Sequence, residues 1–192
     1  MKNISLFVIL FTALWSTSGF GQAVFGVSPG LGFNSAYLGI QVNDNFIPYL
    51  SMQYLGVHYL YEEEDYQEEL NASAIVPTLG AKLFLGGSGP IRSYLNGSIS
   101  KPLITGKLQY DGEPDEEFAD AVDNISVLGA EVGFGVEYFF DARFSIGGEF
   151  GIRFVSGKFE VDDEFDPYSV KAGVTPTYTK ISFNYYFAAK EE

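Results

Sequence analysis

Beyond residue 24 the chain alternates. In Leu128-Gly129-Ala130-Glu131-Val132-Gly133-Phe134-Gly135-Val136-Glu137-Tyr138 every even position is apolar and every odd position is Gly or Glu. A period of two belongs to a β-strand with one apolar face. Glycines and carboxylates opposite that face, over a strand this long, suit a wall whose outside meets lipid and whose inside meets a narrow polar interior.

The same pattern predicts strands at Val24–Phe33, Tyr37–Val42, Phe46–Tyr61, Ala72–Leu85, Ile91–Tyr110, Ile125–Phe140, Arg143–Val161 and Val170–Phe187. Asn34-Ser35 reads as a tight loop, and Asn43-Asp44-Asn45, the Gly86–Pro90 run and Asp141-Ala142 read as turns by residue type. In the third strand the apolar phase flips near Tyr54-Leu55, which predicts a bulge there or a strand end leaving the membrane. Short turns alternate with long connections, as in an antiparallel barrel with turns at one end and loops at the other. The fold class expected is all-β, an eight-stranded antiparallel up-and-down transmembrane barrel over residues 24–187, followed by a polar tail at 188–192.

Residues 1–23 read differently. Lys2 precedes an apolar run from Ile4 to Leu14, and Gly21-Gln22-Ala23 fits a small-x-small cleavage site. This is the pattern of a secretory signal peptide, whereas a retained anchor needs about 20 apolar residues. The chain has no cysteine, so lipoprotein attachment, disulfides, thiol catalysis and cysteine metal sites are excluded. With 25 Asp and Glu against 11 Lys and Arg, nucleic acid is an implausible partner. Most of the acids fall in three connections, 62–69, 111–123 and 160–166, which read as solvated charged loops.

Candidate chemistry is sparse. The inward faces collect Lys82, Arg92, Glu131, Glu137, Glu149, Arg153 and Lys180. Charges inside so narrow a barrel must pair, and they are expected to form a salt-bridged plug; an ion path would need a gap in that network. His58 is the only histidine, with Ser51 the nearest serine on its strand, too little for a triad. The acids are of the type that holds Ca²⁺ or Mg²⁺, with Asp162, Asp163, Glu164 and Asp166 as candidates, but no spacing is that of a known calcium loop. Tyr59, Tyr61 and Tyr110 at one end, and Phe46, Phe140, Phe144, Tyr185 and Phe187 at the other, are expected to form interfacial girdles. No cofactor is expected.

The last strand, Lys180-Ile181-Ser182-Phe183-Asn184-Tyr185-Tyr186-Phe187, alternates and ends on an aromatic. In this and in its overall pattern the mature chain resembles the small outer-membrane barrels of the OmpA, OmpX and OmpW type. The resemblance implies that Ile181, Phe183, Tyr185 and Phe187 carry a signal read by the barrel-assembly machinery. It also implies a monomer in the cell outer membrane, among lipid and lipopolysaccharide, with a structural or surface-interaction role and no catalysis. Three other readings stay open: a narrow solute channel, a soluble periplasmic barrel for a small apolar ligand, and a rim-site lipid hydrolase.

Overall fold

The computed structural model describes residues 21–29, 34–63, 66–161 and 168–187, the side chains of 160, 161 and 168 excepted. Eight strands form the wall: β1 (Gln22–Ser28), β2 (Asn34–Gln41), β3 (Phe46–Glu63), β4 (Tyr66–Ser88), β5 (Ile91–Ser100), β8 (Ile125–Phe139), β9 (Phe144–Val161) and β11 (Thr177–Tyr186). Each pairs antiparallel with the next, β5 passes directly to β8 and β9 to β11, and β11 returns to β1 through Val24↔Tyr186 and Val27↔Phe183. The ring is therefore closed. A closed ladder leaves no edge unpaired, which is what a bilayer demands of a sheet.

Two expected strands are each split by a proline without a change of register. β5 is followed by β6 (Leu103–Tyr110) across Lys101-Pro102, and β10 (Tyr168–Val174) precedes β11 across Thr175-Pro176. β6 keeps the β5 register on β4, and β10 keeps the β11 register on β9. Lys101 donates its N–H to the Pro77 carbonyl on β4, so the next residue's N–H would face β8. That residue is Pro102, which has none. The strand parts from β8 at this point. Beyond the ring, β3, β4 and β6 continue as one three-stranded flap, and β8, β9 and β10 as a second.

The phase flip at Tyr54-Leu55 is not a bulge, because β3 and β4 stay in register from Phe46↔Leu83 to Glu63↔Tyr66. Up to Tyr54 the apolar face of β3 looks outward. Past it the outward face has left the belt, and the face continuing the lumen becomes the apolar one. On that inner face Tyr66 packs against Tyr61 and Tyr110, with ring centroids 6.3 and 6.2 Å apart. Tyr59, Tyr61 and Tyr110 thus belong to the inside of a flap and not to an outward girdle.

The acidic segments are more ordered than loops. Glu62, Glu63, Glu68 and Glu69 lie within the β3–β4 hairpin, where Tyr61 and Tyr66 donate to Glu63 and Glu68. Residues 111–123 hold a short strand, β7 (Glu113–Pro114), and helix α1 (Glu116–Asp123). Asp115 caps α1 by accepting the Phe118 N–H at 2.9 Å, and Glu116 and Glu117 sit where the helix dipole favours anions. Phe118 and Val122, one turn apart, pack on the inner face of the first flap at Gly106, where a Cβ would stand 3.1 and 3.0 Å from them. Of the third segment, Glu160 and Val161 close β9 and residues 162–167 lie outside the described ones, with Asp162, Asp163, Glu164 and Asp166 among them.

At the same end Asn34 and Ser35 are not a loop: both belong to β2 and pair with β3. At the opposite end the connections are tight. The β4–β5 ladder runs on to Ser88↔Ile91, so the turn shrinks to Gly89-Pro90, with Gly89 at φ 59°. Asp141 organises the β8–β9 turn by accepting N–H groups from Arg143 and Phe144. These two bonds hold its carboxyl below the usual carboxylate range. Their stabilisation is fully present above the ordinary carboxylate pKa and is lost as pH falls through the lowered one.

Candidate functional site: the filled lumen

Alternation places the two faces as the sequence implies. Phe25, Leu38, Leu79, Leu95, Phe134, Phe150, Ile152 and Phe183 are exposed on the outside of a protein whose inside is buried and polar. An apolar belt of this extent around a closed ring is far larger than a soluble monomer exposes. Phe46, Phe140, Phe144, Tyr185 and Phe187 ring the turn end, with Phe140–Phe144 and Tyr185–Phe187 centroids 5.5 and 5.0 Å apart. Aromatics at this height suit a membrane interface.

The lumen is filled in layers. In the middle layer the Lys82 ammonium lies 3.5 Å from Glu137 Oε2, donates to the Tyr37 hydroxyl at 3.0 Å, and stands 4.9 and 5.0 Å from the Tyr37 and Tyr94 ring centres. Glu137, 0% exposed, also accepts from the Ser145 and Tyr186 hydroxyls. Asn184 closes the circuit, accepting from Tyr37 at 2.7 Å and donating to Ser145 at 3.1 Å. Both charges are thus paired and each is hydrogen-bonded further, the condition for tolerating ions away from water.

Above this layer Glu149 accepts from Asn96 at 3.0 Å and from Tyr178 at 2.6 Å, and Asn96 in turn accepts from Tyr49 at 2.9 Å. Lys180 lies across the β9–β11 ladder from Glu149. Nearest the loop end, Arg153 Nε donates to Glu131 Oε1 at 2.5 Å, with its guanidinium 5.6 Å from the Tyr178 ring centre. Arg92 departs from the expected network. Although opposite Glu137 in register, it bonds the Asp44 carbonyl and Asn45 and lies 4.3 Å from the Phe84 ring centre. It closes the turn end and does not join the ion pairs.

The tyrosines of this interior are not apparent from alternation alone. Four of them lie over glycines of nearby strands: Tyr37 over Gly26, Tyr49 over Gly80, Tyr94 over Gly135, and Tyr178 over Gly151 of the adjacent strand and Gly133 of the next. Gly133 and Gly135 of β8 therefore make room for rings. Gly135→Ala would drive a methyl into the Tyr94 ring, and is expected to cost about 1–3 kcal/mol by overpacking, read as a lower urea midpoint for the barrel folded in lipid vesicles. A midpoint equal to wild type would mean that Tyr94 has space to move.

His58 and Ser51 are not brought together. Ser51 is buried in the lumen, whereas His58 faces outward on the flap, its Nδ1 2.7 Å from Asn71 Oδ1 and 3.9 Å from Glu69. Among the described residues no three His, Cys, Asp or Glu side chains converge as metal ligands.

The fold has solved counterparts. A major outer membrane protein from Thermus thermophilus superposes with a TM-score of 0.50 at 12% identity, over 88% of this chain and 100% of its own. The outer membrane protein W of E. coli does so with 0.52 at 14%, over 88% and 98%. The fold is that of the small outer-membrane β-barrels. The chain matches no protein-family model and no curated protein sequence.

Proposed function

We propose that this chain is an integral outer-membrane protein whose barrel is plugged, and whose role is structural or surface-interactive, with neither transport nor catalysis. The observation that carries this reading is the middle layer, in which the buried Tyr37, Lys82, Glu137, Asn184 and Tyr186 are linked by hydrogen bonds and an ion pair across the lumen, with the buried Tyr94 ring 5.0 Å from the Lys82 ammonium. Residues 1–23 direct export and are removed, and the barrel is a monomer. Ile181, Phe183, Tyr185 and Phe187 present the outward face of β11 to the assembly machinery. The flaps and α1 stand on the cell surface and give it an acidic field that draws cations and repels polyanions. Divalent cations between these acids and lipopolysaccharide phosphates fit that field, with the 160–166 segment as one place for them.

The test joins two measurements. Unboiled protein from the outer-membrane fraction is expected to run folded in SDS and to shift on heating, since a closed ladder has no edge from which to unravel. In planar bilayers the same protein is expected to give no steady current. Recovery in the soluble periplasm without a heat shift would overturn the membrane reading, and reproducible open-channel currents would replace the plug with the narrow channel.

A further inference from the structure

Three tyrosine rings stand together at the tip of the first flap. Tyr61 on β3, Tyr66 on β4 and Tyr110 on β6 share its inner face and are 43, 38 and 39% exposed. Tyr66 is the centre of the group. The Tyr61 ring plane meets it at 60° and the Tyr110 plane at 34°, so the rings form an open corner and not a flat stack. Tyr59, Leu70 and Leu108 are the next row toward the barrel and give the corner an apolar floor. Cross-strand aromatic pairs stabilise a sheet, so hairpin packing alone would account for the rings. It does not account for the carboxylates set among them. Glu63 and Glu68 lie on the same face, accepting the Tyr61 hydroxyl at 3.2 Å and the Tyr66 hydroxyl at 3.4 Å. Glu68 stands between Tyr61 and Tyr110 in the ladder. Asp111, held by the Gln67 N–H at 2.7 Å, adds a third carboxylate next to Tyr110. Neither Glu63 nor Glu68 has an ion-pair partner among the described residues. The described inner face of this flap, with α1 packed on it, holds no lysine or arginine.

The face of an aromatic ring is negative and attracts a cation within about 6 Å of its centre. A cation seated in the corner meets two rings at once, with carboxylates at the rim. Hydration decides which cation. A primary ammonium is compact and strongly held by water, and it leaves its hydrogen bonds behind on entering. A quaternary ammonium has no N–H to satisfy. Its methyl groups carry the spread charge and also bury apolar surface against the rings and the floor. An anionic group on the same ligand would find no cation on this face and would stand against Glu63 and Glu68.

We infer that the Tyr61–Tyr66–Tyr110 corner binds small quaternary ammonium cations of the choline type that carry no anionic group. The site gives the surface role proposed above a ligand class, and it depends on neither the plug nor the belt. Each ring face contributes about 2–5-fold in affinity, the range for exposed cation–π contacts. The rim carboxylates add an attraction that salt screens.

The experiment is a saturation-transfer NMR titration of the folded barrel in octyl glucoside, a detergent without an ammonium group. The probes are choline, its neutral carbon isostere dimethylbutanol, the primary amine ethanolamine, and phosphocholine. Wild type should bind choline tightest of the four, and less tightly at high salt. Tyr66→Leu and Tyr110→Leu should each weaken choline binding about 2–5-fold. Tyr66→Phe, which keeps the ring, should retain it, and Glu68→Gln should weaken it and lower its salt dependence. Equal binding of choline and dimethylbutanol by wild type overturns the proposal, whether or not every variant folds, because the corner is then only apolar. Choline binding unchanged by Tyr66→Leu, its folding checked by heat shift, overturns it as well, and so does phosphocholine binding tighter than choline. A wild-type barrel that shows no heat shift defeats the membrane reading above, while the comparison of choline with its isostere still decides this one.

Discussion

Glu137→Ala should cost the barrel about 3–5 kcal/mol, the usual penalty for leaving one partner of a buried ion pair behind. The side chain is 0% exposed, and its removal strands the Lys82 ammonium among Tyr37, Tyr94 and Tyr186 with no carboxylate. It also frees the hydroxyls of Ser145 and Tyr186, which donate to it. Adding Lys82→Met should recover part of the loss, because the stranded charge is then gone. Urea titration of protein folded into lipid vesicles, followed by band shift, reads both. If Glu137→Ala behaves like the exposed Glu62→Ala, the lumen holds enough water to solvate Lys82 and the dry plug is wrong.

Phe134→Arg should cost about 2–4 kcal/mol in the same assay. Phe134 is 51% exposed, and its ladder partners Leu95 and Phe150 face outward beside it. In water an arginine on such a surface would be harmless. In a bilayer it has to be pulled toward an interface or drag water in. The matched control is Arg in place of Leu60, which is outward on the first flap and past the belt. A penalty at Leu60 equal to that at Phe134 would mean that the belt is not lipid-facing.

Strand placement was legible because lipid and lumen impose opposite chemistries on successive residues. Leu128 to Tyr138 could only alternate in one way, and Glu131, Glu137, Glu149, Arg153 and Lys180 could be assigned inward from parity alone. What parity hides is register. Tyr94 looks like one more aromatic until β5 is set against β8 and Gly135 falls beneath it. Arg92 has inward parity, but it stands so near the turn that the Asp44 carbonyl reaches it before Glu137 does. Helix α1 was obscured by its own charge. Asp115-Glu116-Glu117 reads as a solvated run, yet a capping aspartate followed by first-turn acids and a Phe118/Val122 pair is also how an amphipathic helix begins. Pro102 and Pro176 fell inside strands that alternation ran through without a break, and parity does not show that each parts the strand from one neighbour while the ladder on the other side carries on in register.

That continuity gives the molecule two grades of permanence. In the ring every strand is held on both flanks, so no wall strand can leave without opening the whole circle to lipid. Above Pro102 and Pro176 the strands β6 and β10 have given up one neighbour, and each flap is an open sheet that can fray from its tip while the circle stays shut. The surface that meets the outside world is thereby mechanically insulated from the wall that keeps the membrane sealed, and the flaps can be reshaped, cut or lengthened with no change to a single lumen contact.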